Sequence, residues 1–472
     1  MTAAAIPTRL IGSLTDDLHG YLVEPGAADW DVERRLWNSM FDRQPLAIAK
    51  CMGNADVVAA LRFARENDLT LSVRGGGHDA GGKSLVDGTF GIDVGLMNGV
   101  HVDPVRRRAV VQGGAKWRIV DRETQAHELG VTGGTVSDTG VAGLTLGGGI
   151  GWIMRRDGVT VDSLVAVTGV TADGRIVRAS AEEEPELFWG VRGAGSNFLV
   201  VTSFEFDLKP LGPDVTAGMV VHPADNADDV IRHWRDYMDD APEAVGSMLM
   251  VMRAAEPLFP ADVAGQPVIG FVVVHVGTPE EAEAELRPLR EWGSPLVDAV
   301  DRMPYTVVQQ MLEQNWPPDK RFYEKAGYLS SIEDGFIDEV IACFETAPFP
   351  SPGSVATPLI SAMPMGGAVA RVPEDAMAFP RNDTAYWWDV ATMWNDANDD
   401  PAYIDWCRAV YERLKPYASQ GAYINLMVDD DPAGNWLRTA YGDAKYDRLV
   451  GLKNRWDPDN VFSGNKNIKP SV

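Results

Sequence analysis

Cysteine is scarce in this sequence: Cys51, Cys343 and Cys407 are the only three in 472 residues, and they lie far apart. An odd, sparse set excludes a disulfide framework and a cysteine-built metal site. Cations are in short supply as well. Lys and Arg number 42 against 68 Asp and Glu, a formal charge of −26. That balance argues against nucleic acid and against an anionic membrane surface, since both need clustered cations. The carboxylates are scattered, with small clusters at 182–184 and 429–431, as on a solvated surface. No apolar run approaches the ~20 residues a membrane helix requires. Residues 1–7 carry no basic segment followed by an apolar stretch, so no signal peptide is expected. The seven histidines show neither HExxH nor other metal-ligand spacing, and GxSxG and GxGxxG are both missing. The expectation is a soluble, cytoplasmic protein that is neither a metalloenzyme nor a Rossmann dehydrogenase.

Length alone asks for more than one core, because cores stop growing near ~250–300 residues. The first 210 or so residues are glycine-rich and mix helix with strand. Residues 54–69 have Val57, Leu61 and Ala64 on one helical face, and a short strand at 71–73 follows. Residues 164–178 read as a hairpin turned at Asp173-Gly174, and 198–209 alternate apolar with polar. Lys209-Pro-Leu-Gly-Pro213 is a breaker cluster. Beyond it come strand-like runs at 246–252, 267–276, 355–363 and 386–393. Thr278-Pro-Glu-Glu281 has the residues of a helix start with a capping box. Antiparallel strands with helices on one face fit this pattern. The last fifty or so residues return to tight punctuation, as if folding back onto the first unit.

The most informative segment is Arg74-Gly-Gly-Gly-His-Asp-Ala-Gly-Gly-Lys-Ser84. Residues 77–84 fit the phosphate-loop pattern GxxxxGK[ST], which works only when its Lys and Ser open a helix. Here two glycines and several β-branched residues follow Ser84, so a hairpin is expected and the match is accidental. What remains is a run of small residues after a strand, a loop whose amides can approach a pyrophosphate closely. A second such loop, 133–151, holds eight glycines in nineteen positions. Two loops of this kind suggest an extended, phosphate-bearing ligand gripped along its length. Among the histidines, His78 stands apart because it lies within a glycine loop with little side-chain mass around it.

These segments resemble the berberine-bridge-enzyme-like flavoproteins of the vanillyl-alcohol-oxidase fold group, with their PCMH-type FAD-binding domain. The similarity runs through Arg74-Gly-Gly-Gly-His78 with Gly82, then Thr139-Gly140 to Gly151, then Glu186-Leu-Phe-Trp-Gly-Val-Arg-Gly-Ala-Gly-Ser-Asn-Phe198. It resumes at Tyr423-Ile-Asn425, Tyr441-Gly442 and Trp456-Asp-Pro-Asp-Asn-Val-Phe462. The resemblance implies an α+β architecture. Residues 1–209 and 421–472 would form an FAD-binding domain around an inserted substrate domain, 210–420, of antiparallel sheet covered by helices. It implies FAD bonded covalently through His78. Where many members add a cysteine bond from the second loop, this chain has Val136, so the linkage should be single. Ile150 and Leu144 replace a frequent tyrosine and histidine, which is closer to the singly linked bacterial branch that includes 6-hydroxy-D-nicotine oxidase.

The cofactor contacts so implied are Arg74, Gly75, Gly76, Gly77, His78, Asp79, Gly82 and Ser84 in the first loop. In the second they are Gly134, Thr135, Thr139, Gly140, Gly143, Leu144, Gly148, Gly149 and Trp152. Val201, Tyr423 and Asn425 complete them. Tyr423 and Thr139 are the catalytic candidates: Tyr423 as a base or as a packing residue that shapes the pocket, Thr139 as a gate for dioxygen or an ordinary loop residue. Trp152 either flanks the flavin or fills core. Trp387, Trp388, Trp394, Tyr323 and Tyr328 offer a wall for a ring-bearing substrate, or plain core. The implied activity is hydride transfer from an alcohol or amine C–H of a small organic substrate to FAD, reoxidised by dioxygen to hydrogen peroxide. An oxygenase acting through an oxygenated flavin is the alternative.

Overall fold

The structure, a computed structural model, describes residues 14–254, 263–314, 316–349, 355–381, 384–428 and 436–471. The acidic cluster at 429–431 and the first seven residues lie outside that set.

Helix Asn54–Glu66 buries Val57, Leu61 and Ala64 as its periodicity requires. It delivers the chain into strand Leu71–Arg74, the edge of a four-stranded sheet ordered Tyr21–Val23, Ala47–Lys50, Phe90–Asp93, Leu71–Arg74. The expected hairpin after Ser84 is not there. No helix follows Ser84 either, so the phosphate-loop match is discarded. Instead Phe90–Asp93 runs parallel to both Leu71–Arg74 and Ala47–Lys50. The loop from Gly75 to Thr89 is long enough for a crossover, and Phe90 and Ile92, both fully buried, are better covered between two strands than in a two-stranded ribbon.

A second, five-stranded antiparallel sheet is ordered Val100–Asp103, Arg108–Gln112, Leu199–Asp207, Leu164–Thr171, Ile176–Ser180. It contains the expected hairpin and the alternating strand. Helix Asp443–Trp456 places Leu449, Leu452 and Trp456 in the same apolar core as Phe204 and Phe206 of this sheet.

The third sheet is antiparallel throughout. Its order is Val297–Asp298, Asp214–Pro223, Pro267–His275, Val245–Arg253, Ala356–Pro364, Tyr386–Trp394, Arg321–Leu329, with Asp301–Pro304 also paired to Asp214–Pro223. Strand alternation divides its side chains cleanly. Tyr323, Trp388, Val390 and Trp394 join a core beneath helices Ala227–Asp240, Asp334–Glu345 and Asp400–Leu414. Met248, Ala326, Leu359, Met363 and Trp387 face the opposite way. Helix Pro279–Arg290 begins with the expected capping box: Thr278 Oγ1 accepts from the Glu281 N–H at 3.2 Å, and Glu281 accepts from the Thr278 N–H at 2.8 Å.

Candidate active site

The two glycine loops meet backbone to backbone. A Cβ on Gly76 would lie 2.5 Å from the Cα of Gly140, and one on Gly140 would lie 2.6 Å from that of Gly76. Only hydrogen fits at this crossing. Next to it opens a cavity of about 360 Å³. Its wall takes in Gly75, Gly76, Gly77, His78, Asp79 and Ser84 from the first loop and Gly134, Thr135, Thr139, Gly140, Gly143 and Leu144 from the second. Val201 from the five-stranded sheet and Tyr423 and Asn425 from near the C-terminus also line it.

Five expected residues are outside the lining. Arg74 points behind the loop into a buried charge cluster. It donates to Asp93 at 2.7 Å, and Lys50 bridges Asp93 and Glu33 at 2.9 and 2.7 Å. That cluster anchors the strand rather than lining the cavity. Gly82, Gly148 and Gly149 have positive φ, and a Cβ on them would strike Phe41, Phe379 and Thr160 respectively. Trp152 is core, with 1% of its surface exposed.

His78 stacks on Trp37, ring centroids 4.2 Å apart and planes 21° from parallel. Its Nε2 is enclosed and has no hydrogen-bond partner. Burial keeps the imidazole neutral, its pKa pushed down to about 4. Tyr423 Oη accepts from Asn425 Nδ2 at 2.9 Å and from the Ile150 N–H at 3.3 Å, while the same Asn425 nitrogen donates to the Leu144 carbonyl at 2.9 Å. This ties the C-terminal segment to the second glycine loop. Burial pushes the Tyr423 phenol up to about 12 despite those two donors, so it stays protonated at neutral pH. Lys466 closes the wall, donating to the carbonyls of Ile424 at 2.5 Å and Asn425 at 3.0 Å, with Asp79 at 3.7 Å. Val136 and Ile150 line the cavity beside the second loop.

The other end of the cavity is the free face of the large sheet. Of the five aromatic candidates there, only Trp387 lines it, with its Nε1 donor unpartnered. Trp388, Trp394 and Tyr323 lie on the helix side, and Tyr328 is buried in the core behind the wall. Met248, Leu312, Trp316, Phe322 and Met363 make the remaining wall apolar.

Two carboxyls that no motif marks sit in this wall, Glu324 and Asp389, at 3% and 5% exposure. Ser361 Oγ donates to Asp389. Burial raises both pKa values, that of Asp389 to about 7 and that of Glu324 well above the usual carboxylate range, with Asp389 adding to the shift on Glu324. Asp389 was hidden because an acid between strand apolars reads as solvent-facing. The one available clue was its setting in Tyr386–Trp394, a strand apolar on both faces.

The wall fits FAD on its own evidence. A long cavity runs beside a glycine crossing that a Cβ would fill, and an unpartnered buried imidazole nitrogen stands at its edge. Bound there, FAD would be held by the two glycine loops and by Tyr423 and Asn425. Among the described residues, no His, Cys, Asp or Glu group is arranged to hold a metal ion. Likewise, no helix there is long and apolar enough to cross a membrane.

Comparison with known proteins agrees at both ends of the chain. Residues 45–180 match the FAD binding domain family, and residues 422–469 match the berberine and berberine-like family. An FAD-linked oxidoreductase of Dictyostelium discoideum is 28% identical over 469 residues, covering 98% of this chain and 97% of its own. The (R)-6-hydroxynicotine oxidase of Paenarthrobacter nicotinovorans is 27% identical, with 96% and 97% covered. Among solved structures, 6-hydroxy-D-nicotine oxidase from Arthrobacter nicotinovorans superposes with a TM-score of 0.86 at 25% identity, covering 96% of this chain and 98% of its own. Glucooligosaccharide oxidase from Acremonium strictum, which carries a 6-S-cysteinyl, 8α-N1-histidyl FAD, shares the fold with a TM-score of 0.86 at 21% identity and coverages of 98% and 99%. With matching family models over its first glycine loops and its tail, and relatives aligned along nearly its whole length, the chain is an FAD-linked oxidoreductase similar throughout to the berberine-bridge-enzyme-like oxidases.

Proposed function

We propose that this oxidoreductase is an oxidase that removes a hydride from an alcohol or amine carbon of a small, ring-bearing organic molecule and hands the electrons to dioxygen, releasing hydrogen peroxide. One observation carries the proposal: a single cavity joins both glycine loops to a sheet face bearing two buried carboxyls, so cofactor and proton acceptor share one volume. Residues 1–209 and 421–472 act as the flavin-binding unit, and 210–420 as the substrate unit.

FAD, when bound, supplies the hydride acceptor, and the protein's part is orientation and proton handling. Asp389, poised near neutrality, takes the proton from the substrate hydroxyl or amine. Tyr423 is not the base. Its oxygen already accepts two hydrogen bonds, which leaves its own proton to donate to the substrate heteroatom. Thr139 is small and polar in the wall, and permissive for dioxygen. Apolar walls around Trp387 favour a flat substrate. His78 would hold FAD by a bond to the flavin 8α-methyl, and the linkage would be single because Val136 stands where a second would come from.

Acid denaturation of the purified protein tests this directly. A yellow polypeptide heavier by one FAD, and losing it on His78→Ala, is the expected result. Colourless polypeptide with free FAD would remove the covalent bond, and absence of flavin would sink the proposal entirely.

A further inference from the structure

The stacked pair at the edge of the cavity has a second consequence, which rests on the His78 linkage proposed above. We infer that Trp37 is the positioning residue for flavin attachment, holding the plane of the His78 imidazole so that a ring nitrogen points at the flavin methyl.

The geometry of an imidazole makes its plane decisive, because the lone pair of a ring nitrogen lies in that plane. A face-on partner therefore fixes the direction of attack while leaving the reacting edge open. Trp37 is such a partner, at 4.2 Å and 21°. The ring also hydrogen-bonds its own backbone, which leaves the Nε2 edge free. Glycines 75–77 precede His78 and bring no side chain, and its Nε2 has no hydrogen bond to orient the ring.

Trp37 itself is held firmly. Its N–H donates to the Gly77 carbonyl at 3.1 Å, the residue before His78. Phe322 abuts it edge-on at 5.2 Å, and Trp316 abuts Phe322 at 5.5 Å. The neighbouring Asn38, fully buried, donates to the carbonyls of Ala80 and Phe322, each at 2.8 Å, and accepts from the Phe322 N–H at 3.1 Å. One short segment thus pins the glycine loop against the edge strand of the large sheet, with the tryptophan ring as its working face.

Attachment breaks one C–H bond of the methyl and the N–H bond of the neutral imidazole, and forms one C–N bond. The two electrons and two protons released reduce the flavin, and dioxygen then takes both as hydrogen peroxide. Burial, which keeps His78 neutral, supplies the lone pair this step needs. Misalignment of a nucleophile by about 1 Å costs roughly 100-fold in rate, which sets the size of effect to expect.

The test uses the full chain produced in flavin-limited cells and then given FAD. Mass and fluorescence of the acid-precipitated polypeptide follow covalent incorporation, and absorbance follows total bound flavin. Trp37→Phe, which keeps a flat face, should attach FAD at close to the wild-type rate. Trp37→Leu, which keeps bulk but no face, should bind FAD yet attach it roughly 100-fold more slowly. Equal attachment rates for the Phe and Leu variants would overturn the role of Trp37 and leave the His78 linkage standing. Wild-type protein holding only dissociable FAD would remove both. Trp37→Ala adds a check. If it fails to take up flavin, the Phe and Leu pair still decides.

Discussion

Asp389 and Asp121 show how burial gives a carboxyl different consequences in different places. Asp389 faces the cavity with a pKa of about 7, so catalysis by it requires pH above that value. We expect kcat/KM to fall tenfold per pH unit below about 7 and to level off above it. Asp389→Asn should lower kcat by roughly 10²–10⁴ and abolish that limb of the profile; an unchanged profile would move the base elsewhere. Asp121 is not in that wall and lies buried with Gln309 Nε2 donating at 3.2 Å, its pKa likewise pushed up to about 7. Its folded pKa exceeds its unfolded value of ~3.9, so the fold binds a proton that the unfolded chain has lost. The stability it contributes is therefore whole at low pH and drains away as pH rises from about 4 through about 7. Asp121→Asn should raise the thermal midpoint at pH 8, by ~2–4 kcal/mol of stability at most, and noticeably less at pH 5. His78 and its glycines were legible in the sequence because loop chemistry is local. Asp389, Glu324 and Trp37 were not, because their partners come from other strands and segments.

Elements position these residues more tightly than their sequences advertise. The contact between Gly76 and Gly140 joins the two loops whose composition suggests one extended ligand held between them. Gly76→Ala would need a backbone shift costing about 1–3 kcal/mol, so flavin affinity should fall roughly tenfold or more. The flavin-to-protein ratio after dialysis of a Gly76→Ala, His78→Ala double variant, set against His78→Ala alone, measures this without a covalent bond. Equal ratios would mean the crossing yields cheaply. Four strands of the large sheet were readable as apolar runs and the helix at Pro279–Arg290 from its capping residues, whereas the long strands Asp214–Pro223 and Arg321–Leu329 were not. Phe90–Asp93 pairs in parallel where its local pattern reads as a hairpin, since hairpin and crossover leave the same pattern and only burial on both sides separates them.

At the scale of the whole molecule, the chain's end completes what its beginning starts. Lys453 and Asp457 form an ion pair with both side chains at 0% exposure, and Lys453 also donates to the carbonyls of Asn197 at 3.0 Å and Phe462 at 3.1 Å. Removing one partner strands a buried charge. Lys453→Met should therefore cost about 3–5 kcal/mol and loosen the tail that brings Asn465 and Lys466 into the cavity wall. Thermal unfolding followed by flavin fluorescence should show an earlier transition than in the wild type, and an unmoved midpoint would assign the tail no structural weight. The return of the tail was readable from its motifs, whereas the order of strands in the three sheets was not, because register depends on partners that composition does not name. One feature of the large sheet reaches further than stability. Along Tyr386–Trp394, Trp387 and Asp389 meet the cavity while Trp388, Val390 and Trp394 meet the helices. Trp387 and Asp389 there carry chemistry, and the even positions carry cohesion. A lineage can therefore rewrite its substrate preference on one set of positions without disturbing the other, and descendants with new specificities can inherit an intact scaffold.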